Sequence, residues 1–268
     1  MYKVVLHAHP GFPQASAGLA YSLDKWLYVS FGPNTIALYA TIYSLIVDVV
    51  NSKQIPDSSK AHFENLMIKY RDLLINNKFD FARIETEFRI AVKEYDDHNS
   101  YRKFCLDNFL TLNEHSLYCK CSEASDDDLS IVHSNLSLYG DKVGKMELLL
   151  NRIKSEFALA RKLYFEGINN TSSESGVLYS ELMDGEVIGE DAEKLRTSFK
   201  LCFGIFDKIA HGIIFLYGLP KAKKENIYFQ SFWDLKKCKE RWEIIKEKQN
   251  PHLVSLYSIA NDFNYESG

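Results

Sequence analysis

Ala192-Glu-Lys-Leu195-Arg-Thr-Ser-Phe199-Lys-Leu-Cys202-Phe-Gly-Ile-Phe206-Asp-Lys-Ile209-Ala-His-Gly-Ile213-Ile-Phe-Leu216-Tyr217 is the most regular stretch of the chain. Leu195, Phe199, Cys202, Phe206, Ile209, Ile213 and Leu216 recur at 4-3-4-3-4-3, which lays one apolar seam along a helix from Ala192 to Tyr217. Gly218 and Pro220 stop it. So long a seam needs partners. Upstream, Met146, Leu150, Ile153, Phe157, Ala160 and Tyr164 repeat 4-3-4-3-4 and predict a helix over Lys145 to Ile168. Downstream, Ser231 to Lys248 reads as a charged helix with Phe232, Leu235, Trp242 and Ile245 inward. Pro251 opens a last helix carrying Leu253, Leu256, Tyr257, Ala260 and Phe263. Together these predict a helical bundle near residues 140–265.

The N-terminal half reads as helical too. Residues 1–14 hold Pro10, Gly11 and Pro13 and read as irregular. Helices are expected over Ala15 to Ser30 and Ile36 to Val50, the second with Ile36, Ala40, Tyr43, Val47 and Val50 inward. The Gly32-Pro33-Asn34 turn between them makes an αα-hairpin the size of one helical-repeat unit, with no second copy at a fixed period. Ser58 and Ser59 are N-cap candidates for a helix over His62 to Asn76. Further helices are expected over Phe79 to Tyr95 and Tyr101 to Leu112. Asn113 to Lys145 reads as a polar excursion with the acidic run Asp126-Asp127-Asp128, and Asn169 to Gly189 as another loop. The fold class is all-α.

Composition agrees. The 268 residues contain 6 Pro and 13 Gly, so long stretches run without a breaker. A net charge of −4 excludes a general polyanion binder and leaves room for a local basic site. Five cysteines without regular spacing, and no apolar leader after Met1, point to a reducing, cytoplasmic setting with free thiols. The most apolar run, Ile36 to Val50, contains Thr41, Ser44 and Asp48 and is 15 residues long, against the ~20 a membrane span needs, so no membrane partner is expected.

Several residues carry candidate chemistry. Lys200, Gly204, Asp207 and His211 form a second row on the long helix, spaced 4-3-4, with Lys208 beside them. Asp207 and His211 stand one turn apart, so a carboxylate would orient an imidazole. On the preceding helix Lys154, Ala158 and Arg161 share a row, with Glu156 nearby. If the two helices pack antiparallel, the rows meet as a polar patch of both signs. The bland alternative is a salt-bridge set that fixes helix register. His7-Ala-His9 follows a short apolar run, a pattern metal-dependent barrels use at a strand end, but no repeated strand–helix units follow. His115, Cys119 and Cys121 lie within seven residues with His133 not far away, but a Cys-x-Cys without a second cysteine pair reads as loop thiols. No metal and no cofactor is assigned. Phosphate-cradling glycine loops and Gly-x-Ser-x-Gly are absent from the sequence.

Tyr101-Arg-Lys-Phe-Cys-Leu-Asp-Asn-Phe-Leu-Thr-Leu-Asn113, Leu150-Asn-Arg-Ile-Lys154-Ser-Glu156-Phe-Ala-Leu-Ala-Arg161, Phe199-Lys-Leu-Cys-Phe-Gly-Ile-Phe-Asp207-Lys208-Ile-Ala-His211, Asn226-Ile-Tyr-Phe-Gln-Ser-Phe-Trp233 and Asn250-Pro-His-Leu-Val-Ser-Leu-Tyr257 follow one another in that order. Together they resemble a bacterial branch of the HEPN superfamily, helical bundles associated with nucleotides and RNA, over about residues 100–263. The branch is often fused behind tetratricopeptide-like repeats. The resemblance implies a repeat remnant over residues 1–98 and an HEPN-like bundle over 99–268. It also implies homodimerisation, an RNA or nucleotide partner, a protein partner at the N-terminal helices, and kinship with metal-independent ribonucleases of phage defence and toxin–antitoxin systems. Asp207, Lys208 and His211 are then the candidate catalytic set, and Lys154, Glu156, Arg161 and Lys200 the substrate-binding set.

Active members of that superfamily carry Arg-x4–6-His on a late helix, where histidine acts on the ribose 2′-OH and arginine stabilises the phosphorane. No arginine of this sequence is followed by histidine at that spacing: Arg89 to His98 is too long, and Arg241 to His252 longer. The motif would be expected after the Leu256–Phe263 segment, and Gly268 leaves it no room. The resemblance therefore implies a truncated product or a degenerate bundle. The rival class is a non-catalytic helical module that binds protein.

Overall fold

Proline lacks a backbone N–H and is at home in the first helical turn, which is where Pro13 and Pro251 open helices in the structure. The structure, a computed structural model, describes residues 2–9, 12–28, 35–82, 93–130, 141–169, 178–180, 187–221, 226–234 and 238–265. The chain divides into two compact units, Met1–Asp126 and Asp127–Gly268. The architecture is all-α, as the periodicity predicts. Among the described residues, no helix is long and apolar enough to cross a membrane.

The first unit contains α1 (Tyr2–Ala8), α2 (Pro13–Trp26), α3 (Thr35–Asn51), α4 (Asp57–Asn76) and α5 (Ser100–Asp107). Two 3-10 turns, Glu114–Leu117 and Glu123–Ser125, follow. Helix α1 corrects the expectation of an irregular start. Its Tyr2 ring lies over Gly18 of α2, where an added Cβ would clash with the ring. A sequence window shows a short run of mixed residues; the packing partner is elsewhere in the chain. The same helix removes the strand that a His7-x-His9 metal dyad would require. Helix α4 starts at Asp57, with Pro56 rather than Ser58 or Ser59 at the N-cap. The turn expected at residues 32–34 and most of the helix expected from Phe79 lie outside the described residues.

The core of this unit gathers Ala20 and Leu23 from α2, Leu38, Ile42 and Ile46 from α3, and Tyr70 from α4. The buried row of α3 is not the one its spacing suggested: Ile36 is exposed while Leu38, Ile42, Ile46 and Val49 are buried. That helix is apolar on nearly every side, so periodicity cannot choose its inner face. A polar link joins α2 to α4. Asp24, in the last turn of α2 and buried, accepts hydrogen bonds from Tyr70 Oη (2.5 Å) and Lys69 Nζ (2.8 Å) of α4.

Burial works to raise the Asp24 pKa, but the Lys69 and Tyr70 hydrogen bonds and the charges of Lys69 and Lys25 outweigh it and hold the carboxyl below its ordinary value. A depressed carboxyl stabilises the fold above its unfolded pKa of ~4, and that contribution is lost as pH falls through the lower folded value. The first unit is therefore expected to melt at lower temperature at pH 3 than at pH 6. Asp24→Asn should flatten that difference while costing about 1 kcal/mol at neutral pH, read by calorimetry.

The second unit is built on α6 (Asp141–Asn169) and α7 (Glu190–Tyr217). Between them Leu178–Ser180 and Val187–Gly189 pair antiparallel as β1 and β2, where the sequence predicts only a loop. Contacts run in opposite directions along α6 and α7: Gly167 meets Leu195, Ser198 Oγ donates to Ala160 O (2.8 Å), and Gly212 meets Leu149. The helices are thus antiparallel, and glycines let them approach closely at both ends.

The exposed ends of the α7 seam correct the sequence reading. Phe199 is 65% exposed and Leu216 is exposed, whereas Ser198, Ile205 and Gly212 are buried. Gly218, at φ 62°, takes the left-handed conformation that glycine adopts without strain and caps α7. Helices α8 (Phe229–Phe232), α9 (Lys239–Glu247) and α10 (Pro251–Tyr265) fold back so that Phe229, Phe232, Trp233, Ile245 and Leu253 share a core with Ala210, Ile213 and Ile214 of α7. The helix expected across Ser231 to Lys248 is two helices instead. Trp233 is buried at the end of α8, and Cys238, at φ −145°, restarts the chain outside helical space before α9.

Candidate functional site

The candidate residues all lie on α6 and α7, and the structure sorts them into three arrangements. The first is a charged chain across the helix seam. Glu156 of α6, its side chain 9% exposed, takes Lys208 Nζ of α7 at 2.9 Å on one oxygen and Arg152 Nε at 2.6 Å on the other. Lys208 Nζ also donates to Gly204 O (3.3 Å), one turn back on its own helix. Burial pushes the Glu156 pKa up, but the Lys208 and Arg152 pairs outweigh it and hold the carboxyl below its ordinary value, so it is ionised at neutral pH. Arg152 stays 69% exposed and can reach a second anion.

The second arrangement involves Lys154 and Arg161. Seven residues apart, they share a face of α6, and that face meets the segment entering the unit. Arg161 forms a two-pronged ion pair with Asp127, with Nη1 donating to Oδ1 at 2.8 Å and Nη2 bonding Oδ2. Lys154 Nζ donates to the carbonyl of Leu129 (2.8 Å). The acidic run that looked like a loop feature supplies the partner of a helix cation. A sequence signal existed, since an acidic run precedes a basic row, but the spacing of about 30 residues carries no register. Lys154 and Arg161 are thereby tied to residues 127–129 rather than to the Asp207 row.

The third arrangement concerns the α7 row. Asp207 Oδ1 accepts the backbone N–H of Phe229 (2.8 Å) at the start of α8. It therefore positions the α8 segment on α7, and no hydrogen bond joins it to His211 among the described residues. Lys200 and His211, on the same row, are exposed. The expected meeting of rows thus occurs, among the described residues, through Glu156 and Lys208. Among the described residues Glu156 is engaged by Lys208 and Arg152, and Asp207 by the Phe229 N–H.

Sequence reasoning missed Arg241. It is 2% exposed, donates from Nε (3.2 Å) and Nη2 (3.1 Å) to Pro220 O and from Nη1 (2.9 Å) to Phe232 O, and lies over the Phe232 ring. A buried guanidinium in a charged helix has no sequence signature of its own. His115, Cys119 and Cys121, read as loop thiols, come together in the first unit, and among the described residues they are the candidate metal ligands.

Two long antiparallel helices with shorter ones folded against one end define a helical bundle domain. Residues 139–267 match the family model for LA2681-like HEPN, and this part of the chain is an HEPN-superfamily domain. No curated protein and no solved structure matches the chain.

Proposed function

We propose that the chain is an HEPN-like module of the kind that works on RNA in defence or toxin–antitoxin systems, and that it binds RNA or a nucleotide without cutting it. The observation that supports this is the exposed polar side chains of α6 and α7. The cations Arg152 and Lys200 face water, as does His211, while Glu156 is occupied by Lys208 and Asp207 by the α8 backbone. Cations that face water suit a phosphate backbone, and the sequence carries no Arg-x4–6-His. A cytoplasmic location is part of this reading.

Single-stranded RNA should bind the purified chain in fluorescence anisotropy with an affinity that falls as salt rises. Arg152→Glu combined with Lys200→Glu should weaken binding about tenfold and shallow the salt dependence, with the helical circular dichroism unchanged. Binding that ignores both substitutions would show that the RNA sits elsewhere.

A second reading is a protein-binding module, homodimeric through its bundle or docking a partner at the N-terminal helices. It is favoured by the exposed apolar side chains of α6 and α7. Leu148 is 71% exposed, and Phe199 and Phe203 stack on each other at 4.6 Å in solvent. Absence of RNA binding at low salt, with a dimer by light scattering, would favour it.

A further inference from the structure

The turn-rich segment after α5 is ordered by its own backbone. Asn113 Oδ1 accepts the N–H of His115 (2.8 Å), Asn113 O accepts the Ser116 hydroxyl (2.7 Å), and Asn113 Nδ2 donates to Glu123 O (2.8 Å). One asparagine thereby clips the two 3-10 turns together. The Cys119 N–H donates to His115 O (2.9 Å) and the Cys121 N–H to Cys119 Sγ (3.3 Å), which folds the Cys-x-Cys back over the histidine. Tyr118 stacks on the His115 ring at 4.9 Å and packs on the core of the first unit, so the loop is anchored to α2–α4.

This brings one nitrogen and two sulfurs to one point. The ligand atoms of His115, Cys119 and Cys121 lie within 4.8 Å of one another. Cys121 Sγ is 3.9 Å from both ring nitrogens. Tetrahedral zinc, with Zn–S near 2.3 Å and Zn–N near 2.0 Å, places S and N about 3.6 Å apart and two sulfurs about 3.8 Å apart. The cluster is therefore already close to the size a zinc ion would impose. Both thiols are free of disulfides. Glu123 Oε2 stands 3.5 Å from Nδ1 of His115. A carboxylate behind a ligating imidazole fixes its tautomer and turns the other nitrogen to the metal. Two sulfurs and an imidazole suit a thiophilic cation and not calcium or magnesium, which take oxygen ligands.

We propose that His115 Nε2, Cys119 Sγ and Cys121 Sγ bind a thiophilic divalent cation, zinc in the first place, with Glu123 orienting the imidazole and the fourth position taken by water. Both sulfurs bind as thiolates, and whatever proton a sulfur still carries is released to solvent. The site lies in the first unit and is independent of the RNA reading. The sequence conceals it because its third ligand precedes the Cys-x-Cys by one turn, where no second cysteine pair announces it.

Cobalt(II) titrated into the reduced 268-residue chain is the test. The expected result is a saturating signal of thiolate-to-cobalt charge-transfer bands with the intense visible bands of a tetrahedral ion, displaced by zinc. Cys121→Ser should abolish the charge-transfer bands, Glu123→Gln should weaken affinity about tenfold, and Cys202→Ser should leave both unchanged. Cobalt bound without charge-transfer bands, or bands that persist in Cys121→Ser, would overturn the proposal. Because a variant can misfold, the wild-type chain gives a second readout. Zinc should slow iodoacetamide labelling of Cys119 and Cys121 at least tenfold, read by peptide mass spectrometry, and leave Cys202 labelling unchanged. Equal labelling with and without zinc would contradict the site.

Discussion

Arg241→Ala should lower the melting temperature of the second unit by about 10 °C, the largest loss expected from any single substitution in this chain. The guanidinium spans two carbonyls that belong to different segments, Pro220 O after α7 and Phe232 O at the end of α8. At 2% exposure it is shielded from water. Hydrogen bonds to a charged donor contribute about 1.5–3 kcal/mol each, and truncation leaves the buried Phe232 carbonyl and the part-buried Pro220 carbonyl without these donors, so a net loss of about 3 kcal/mol follows. Arg241→Lys is the sharper test. Lysine keeps the charge but cannot present a planar fork to both carbonyls, so most of the loss should remain. A lysine variant as stable as wild type in calorimetry would show that charge alone matters there.

The second large effect concerns Gly212. A Cβ at this position would stand 2.7 Å from Leu149 Cδ2 and 3.6 Å from Met146 Cε of α6. Gly212→Leu should cost about 2–3 kcal/mol by overpacking, reduced a little by leucine's better helix propensity. Gly212→Ala should be close to neutral: the Leu149 methyl is the far end of a flexible side chain, and alanine gains about 1 kcal/mol of propensity over glycine. Gly167 offers no such relief, since its Cβ would meet the Leu195 branch carbon at 2.8 Å and the Asp191 carbonyl at 3.1 Å. Gly167→Ala is therefore expected to destabilise, in urea unfolding, where Gly212→Ala does not.

These contacts show what the sequence conveyed and what it withheld. The two long helices α6 and α7 were legible, because a helix whose apolar residues recur for seven turns needs a partner to bury them, while their antiparallel direction entered the sequence reading only as a condition. Which residues are buried was less so. The seam of α7 includes Phe199, which faces solvent, and leaves out Ser198 and Gly212, which face α6. Close approach selects small residues, and hydrophobic periodicity does not register them. Helix α1 and the break between α8 and α9 were hidden for a related reason: each depends on a distant partner, Gly18 for the Tyr2 ring and Pro220 for Arg241. The polar sites divide the same way. Glu156 and Lys208 pair across the seam as helical rows can. The ties of Arg161 to Asp127 and of Asp207 to the Phe229 N–H cross irregular chain, whose path no period describes. His115, Cys119 and Cys121 were visible as residues, but only the fold shows that their ligand atoms converge.

The wiring of the candidate site also bears on chemistry. A carboxylate neutralised by Lys208 and Arg152 is a poor general base, because its ionised form is the one the cations stabilise. On the proposed function the exposed Arg152 and Lys200 meet a polyanion, and RNA binding without cleavage is the proposal that joins these facts to the HEPN domain.

End-labelled single-stranded RNA incubated with the purified chain, each sample split between a native and a denaturing gel, tests that reading most directly. The account predicts a shifted band on the native gel at low salt, lost at high salt, and full-length RNA on the denaturing gel. Shortened RNA that disappears with His211→Ala, or no shift at any salt, would contradict it.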